Sequence, residues 1–251
     1  MLQKATITLP NSSTTNFQNP YSVLRKNIIE LYLRPGKIVS IHDLCIHFHI
    51  SRSPMRDALI RLEGEGLVDL LPQRGIRISK IDLHRVEEER FLRFSVERAV
   101  MKLFMERHMP EDMVFLEASI VKQKHLVPTK DFRAMIAVDN EFHQYFYNAT
   151  KKQFCAETIL KSSGHYNRFR LLSCINHDIF QGVISQHSKL IDAINSDNTE
   201  QMLDVFDHHL SKIKGEVKRF SAKYPDLFLQ SGVATKQDDA LKNDFMEELR
   251  K

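Results

Sequence analysis

Apolar residues recur at helical spacing along most of the chain. From Pro20 to Leu33 the residues Tyr21, Leu24, Ile28, Leu31 and Tyr32 share a face, and Arg34-Pro35-Gly36 closes the segment because proline cannot continue a helix and glycine accepts the turn. Lys37 to Ser40 reads as a short extended piece. A second helix is expected over about 41–48, with Leu44 and Phe48 inward, and a turn through His49-Ile50 leads to a third. That helix opens at S-R-S-P-M-R-D-A-L (51–59), where Ser51 or Ser53 can cap and Pro54 fits the first turn, and it carries Met55, Leu59 and Leu62 inward as far as Gly64 and Gly66. L-V-D-L-L (67–71) and G-I-R-I-S-K (75–80) then predict two strands joined at Pro72-Gln73-Arg74-Gly75.

Beyond residue 80 the period stays near 3.6. A long helix begins within 81–100 with Val86, Phe91, Leu92, Val96 and Val100 expected inward, and five more follow at about 111–125, 129–149, 152–174, 178–195 and 199–221. The predicted fold is mainly α, an N-terminal winged helix-turn-helix followed by a C-terminal antiparallel all-helical bundle. Its expected divisions are a flexible arm (1–16, rich in Thr, Ser and Asn), a winged head (17–80), a helical domain (81–222) and a tail (223–251) with Pro225, Gly232 and a charged run.

Composition narrows the function classes. Hydrophobic residues are 42% and charged residues 27% of 251, a globular balance, and no apolar run approaches the roughly 18 residues of a membrane span. A signal peptide is not evident, so a soluble, cytoplasmic protein is expected. Cys45, Cys155 and Cys174 are odd in number and far apart, which indicates neither a disulfide framework nor a thiolate zinc site. Net charge is only +4, yet residues 1–80 hold 11 Lys+Arg against 6 Asp+Glu while the rest hold 25 against 26. All the positive excess therefore sits on the head. That asymmetry suits a nucleic-acid module joined to one that does not touch nucleic acid.

Two groups of residues carry candidate chemistry. Arg52, Ser53 and Arg56 crowd the N-terminal end of the third helix, where cationic side chains oppose the helix dipole unless an anion lies opposite. DNA supplies such an anion, along with guanine edges that arginine reads in bidentate fashion, and Arg74 beside Gly75 at the hairpin tip can reach the adjoining groove or backbone. In the bundle, Asp139 and His143 fall four apart on a face with Met135, Phe142 and Phe146. His187 precedes Leu190, Ile191 and Ile194, His209 follows Met202 and Phe206, and the short link 195–199 brings residues 187 and 209 to matching height. Three imidazoles and a carboxylate suit a divalent ion with open positions, and they equally suit a hydrogen-bonded polar core. His47 and His49 read as turn surface; His165 and His177 are left undecided by their spacing.

The stretch S-R-S-P-M-R-D-A-L-I-R-L-E-G-E-G-L-V-D-L-L-P-Q-R-G-I (51–76) resembles the signature of the GntR family of bacterial transcription regulators, with Ser53, Met55 and Asp57 as conservative replacements. The resemblance implies that Arg52, Ser53 and Arg56 contact DNA in the major groove and that Arg74 and Gly75 form the wing tip. Residues 82–221 are similar to the FCD domain of the FadR subfamily, in which D-x-x-x-H and two later histidines bind a metal. It implies Asp139, His143, His187 and His209 as ligands of a divalent ion (zinc, nickel or manganese), His209 being chosen over His208 for its interval from the preceding histidine, and Arg93 in F-L-R-F-S-V-E as a residue facing a small carboxylate effector. The expected function is that of a homodimeric, effector-controlled DNA-binding regulator, a repressor, on a palindromic operator. A metal-dependent enzyme and an architectural DNA binder with a bracing metal are the competing readings, and no catalytic motif such as H-E-x-x-H supports the first.

Overall fold

A computed structural model describes residues 19–229 apart from 176 and 212. The expected arm and the tail from residue 230 onward lie outside the described residues, as does the side chain of His177.

The head follows the punctuation of its sequence. Helix α1 (Pro20–Ile29) starts where the Asn19 side chain accepts the Tyr21 N–H at 3.0 Å. It ends four residues before the expected Leu33, because Leu31 turns left-handed (φ 59°) and buries with the bundle instead of with the head. Strand β1 (Ile38–Val39) leads to α2 (Ile41–Phe48), whose N-cap Ser40 accepts from the Asp43 N–H and whose end is set by left-handed His49. Helix α3 (Arg52–Gly64) begins after Ser51, though the serine side chain makes no capping bond. Strands β2 (Val68–Leu71) and β3 (Gly75–Ile78) form the wing, and β1 joins them in an antiparallel sheet of order β1-β3-β2. Gly75 is required at this seam: its φ is +101°, and a Cβ there would lie 2.3 Å from the Val39 carbonyl oxygen. Leu24, Ile28, Leu44, Met55, Leu59 and Ile76 close the core between helices and sheet.

The bundle comprises α4 (Leu83–Arg107), α5 (Pro110–Leu126), α6 (Phe132–Ala149), α7 (Gln153–Ser162), α8 (Gly164–Cys174), α9 (His177–Asn195), α10 (Thr199–Ser211) and α11 (Ile213–Lys223). Two sequence expectations are corrected. The helix expected over 152–174 breaks at Ser163, whose backbone (φ −104°, ψ 38°) leaves the helical range, and the second half starts at Gly164, where a Cβ would come 2.7 Å from the Leu67 side chain. On α4, Phe91 is 62% exposed and Leu92 is exposed, while Val86, Glu89, Arg93, Glu97 and Val100 are buried. The inward face of α4 thus carries charge, which an apolar-stripe argument misplaces.

Helix α8 is buried along its whole length and ties the head to the bundle. Arg168, fully buried, donates to the Ser79 carbonyl at 2.7 Å, just past the wing. His165 accepts the Asp82 N–H at Nδ1 (3.0 Å) and donates from Nε2 to the Gly66 carbonyl (3.1 Å), which fixes its neutral tautomer. Burial, reinforced by Arg168 and Arg85, lowers its pKa to about 3. Ile81 and Phe228 complete the junction through a parallel bridge.

Candidate metal centre and DNA-contacting face

Asp139 and His143 project from α6, His187 from α9 and His209 from α10, and one ligand atom from each lies within 4.8 Å of all the others. The helical i, i+4 spacing aligns the first two, and the tight α9–α10 hairpin aligns the second two. His209 Nε2 sits 3.2 Å from His143 Nε2 and 3.3 Å from His187 Nε2, while Asp139 Oδ1 is 3.7 Å from His187 Nε2. All four side chains are buried, whereas the neighbouring His208 is exposed.

The far side of each imidazole is held. His143 Nδ1 meets Glu97 on α4, His187 Nδ1 lies 2.8 Å from Gln123 Oε1 on α5, and His209 Nδ1 lies 3.0 Å from Gln186 Oε1 on α9. Each oxygen accepts a hydrogen from Nδ1, so each Nε2 turns a lone pair toward the common centre. Three lone pairs and a carboxylate then face one another at close range, an arrangement that a cation resolves. The donor set therefore fits a first-row divalent ion.

Electrostatics support the same assignment of protonation. Burial, together with neighbouring imidazoles, lowers the His187 pKa to about 3 and holds His209 well below the ordinary histidine value, so both rings are neutral, the form in which an imidazole can hold a metal. For Asp139 burial acts in the opposite sense, but the Arg170 guanidinium hydrogen-bonded to it holds the carboxyl well below the usual range. Glu97 is likewise brought to about 2 against its burial by Arg93 and His143. Two arginines and two carboxylates balance here, so a divalent ion leaves the buried cluster positive and receptive to an anion.

Arg93 reaches this cluster from α4. Its Nε donates to Glu97 at 2.8 Å, its guanidinium carbon lies 5.8 Å from the Tyr166 ring centre, and neither terminal nitrogen has a hydrogen-bond partner among the described residues. It borders a partly open cavity of about 600 Å³ that reaches Asp139, Arg170 and His209 and has apolar groups such as Ile136, Phe180 and Val183 in the rest of its wall, beside Ser173 and Glu216. The sequence reading missed Glu97, Gln123, Gln186 and Arg170. Their only signal was polarity at inward helical positions, and Glu97 stands four residues from Arg93, as a salt-bridged pair would.

On the head, Arg52, Ser53, Arg56 and Arg74 are exposed, and the guanidinium groups of the three arginines have no ion pair or hydrogen-bond partner among the described residues. Other head arginines are engaged: Arg25 with Glu65 at 2.6 Å, Arg77 with Asp69 at 2.9 Å, and Arg61 over the Tyr21 ring. The unengaged set occupies the open end of α3 and the tip of the wing.

Comparison with known proteins agrees with this architecture. The model of the gntR family of bacterial regulatory proteins matches residues 18–78, and that of the FCD domain matches residues 90–212. The chain is 25% identical to the HTH-type transcriptional repressor RspR of Escherichia coli K12 over 84% of its own length and 92% of that protein. It is 28% identical to an HTH-type transcriptional regulator of Streptomyces ambofaciens over 85% and 90% of the two chains. Escherichia coli McbR/YncC shares its fold, with a TM-score of 0.67 at 18% identity over 82% of this chain and 96% of that one. No helix among the described residues is long and apolar enough to cross a membrane. The relatives are regulators and not enzymes, and the chain belongs to the GntR family of transcriptional regulators, in the form that carries an FCD domain.

Proposed function

We propose that this regulator is a cytoplasmic, homodimeric repressor whose hold on a palindromic operator is released by a small organic acid. The head (17–80) reads DNA, with Arg52, Ser53 and Arg56 of α3 in the major groove and Arg74 and Gly75 at the wing tip on the adjoining backbone or minor groove. Exposed Phe91 and Leu92 on α4 offer apolar surface for the second copy. In the effector domain (81–222), Asp139, His143, His187 and His209 hold a divalent ion (zinc, nickel or manganese), which supplies Lewis-acidic positive charge for a carboxylate; Arg93 supplies the second anchor.

The observation that carries this reading is the convergence of three imidazole Nε2 atoms whose Nδ1 atoms are each tied back by an acceptor. Helix α8 gives the site a physical route to the head. Within two turns it carries Arg170 on Asp139, Tyr166 beneath Arg93, Arg168 on Ser79 and His165 on Gly66. An acid that draws Arg93 or Arg170 shifts α8, and α8 cannot shift without moving the base of the wing. Elemental analysis tests the centre: about one divalent ion per chain is expected in the purified protein, and loss of most of it in His143→Ala. Protein that holds no ion after loading with zinc, nickel or manganese contradicts the proposal.

A further inference from the structure

The arginines of α3 account for only part of its outward side. Met55, Ala58, Leu59 and Leu62 bury one face in the head. The flanks are tied to neighbouring elements: the Arg61 guanidinium carbon lies 3.8 Å over the Tyr21 ring of α1, and Glu63 Oε1 accepts the Leu70 N–H of β2 at 3.3 Å. Between those flanks, opposite the buried face, runs one strip made of Ser53, Arg56, Asp57 and Ile60 at positions i, i+3, i+4 and i+7.

Ile60 is 48% exposed there, and the exposed Asp57 carboxylate has no ion pair or hydrogen bond among the described residues. Neither suits a surface that only grips phosphates, since a carboxylate is repelled by them and an aliphatic side chain gains nothing from them. Base edges offer both a partner. In the major groove the cytosine amino group donates to a carboxylate, and the thymine C5-methyl presents an apolar surface that an isoleucine can cover. Withdrawing two apolar groups from water against each other is favourable in a way that discriminates thymine from the other bases.

Resting on the reading above that α3 lies in the major groove, we propose that Ile60 is a specificity-determining residue, packed on the C5-methyl of a thymine in the half-site. Arg56 sets where that thymine falls. Four residues of helix rise about 6 Å, less than two base-pair steps of about 3.4 Å, so the thymine stands about one or two base pairs from the base that Arg56 takes. The half-site is then read by hydrogen bonds at the start of α3 and by a methyl contact one turn further along.

The test takes the methyl from the DNA before it touches the protein. Duplexes that wild type selects from a random pool define the half-site, and each thymine in it is replaced in turn by deoxyuridine, which pairs alike and lacks only the C5-methyl. Titration at fixed salt should find a position, within about two base pairs of the base whose identity ceases to matter in Arg56→Ala, where the loss weakens wild-type binding about three- to fivefold, the worth of one methyl withdrawn from water. In Ile60→Ala the thymine and uracil duplexes should bind alike at that position, while dependence on the other bases persists. Ile60 is half exposed, so the variant should unfold at nearly the same denaturant concentration as wild type. Uracil tolerated by wild type at every position, or a methyl effect of the same size in Ile60→Ala, overturns the contact and leaves the groove reading standing, because the selected sequence and its dependence on Arg56 are untouched. Failure of wild type to select any sequence overturns the contact and the groove reading together.

Discussion

The arginines of the head and those of the bundle use one side chain for opposite ends. Arg52, Arg56 and Arg74 stand exposed without partners, whereas Arg93, Arg168 and Arg170 are buried and point at chosen acceptors. An exposed guanidinium costs the fold little and stays available for an outside anion. A buried one is held by acceptors within the protein, Arg93 through its Nε and Arg168 and Arg170 through their terminal nitrogens, and so fixes what it touches. Recognition of DNA can therefore be built on a surface that contributes little to stability, while the buried Asp139/His143/His187/His209 cluster is inseparable from the packing of α8.

The sharpest way to break this contrast is to exchange the expected consequences. Arg168→Ala empties a fully buried site and strips the Ser79 carbonyl of its donor, so denaturant unfolding should show a loss of about 3 kcal/mol. A variant as stable as wild type would mean that the head does not depend on α8 in this way. Arg56→Ala should do the reverse, leaving unfolding unchanged and weakening specific operator binding by about 1–3 kcal/mol in a titration at fixed salt. Arg74→Ala should weaken binding with less regard to sequence, as expected of a backbone contact. Destabilisation by Arg56→Ala would place that side chain inside the fold rather than against DNA.

A smaller effect concerns pH. His165 is held neutral in the folded state, with its pKa near 3, below the ordinary value near 6.5 that it recovers on unfolding. Between those values the unfolded chain binds more protons, so the folded state loses stability as pH falls below about 6.5 and gains nothing above it. The contribution is about 1 kcal/mol between pH 6.5 and 5.5. Unfolding curves of wild type and His165→Gln at those two pH values should differ in slope by roughly that amount; identical slopes would show that His165 accepts a proton in place.

The same contrast explains what the sequence made legible. The recognition helix and wing announce themselves because their signals are local: Ser51 to Leu59 capped and charged at one end, Pro72 to Gly75 forming one turn, and Gly75 fixed by its backbone. Asp139 and His143 were visible as polar residues on the apolar face of α6, and the structure brings them to His187 and His209. The inward face of α4 was not visible, since a face made of Glu89, Arg93 and Glu97 has no apolar stripe to betray it. Nor was the break at Ser163, beside which Gly164 packs on Leu67, nearly a hundred residues away in sequence. Glu97, Gln123 and Gln186 orient the histidines from other helices, and no spacing within one helix encodes a partner on another.

In the proposed regulator the buried centre governs the exposed face. The most direct measurement is operator affinity with and without each of a panel of small carboxylic acids, in metal-loaded wild type and in His187→Ala. A coupling of about 1–3 kcal/mol predicts that the acid weakens wild-type binding some five- to 150-fold and leaves the variant's affinity unchanged. An equal response in both proteins would contradict the claim, since the effector would then reach the heads without the centre that Asp139, His143, His187 and His209 compose.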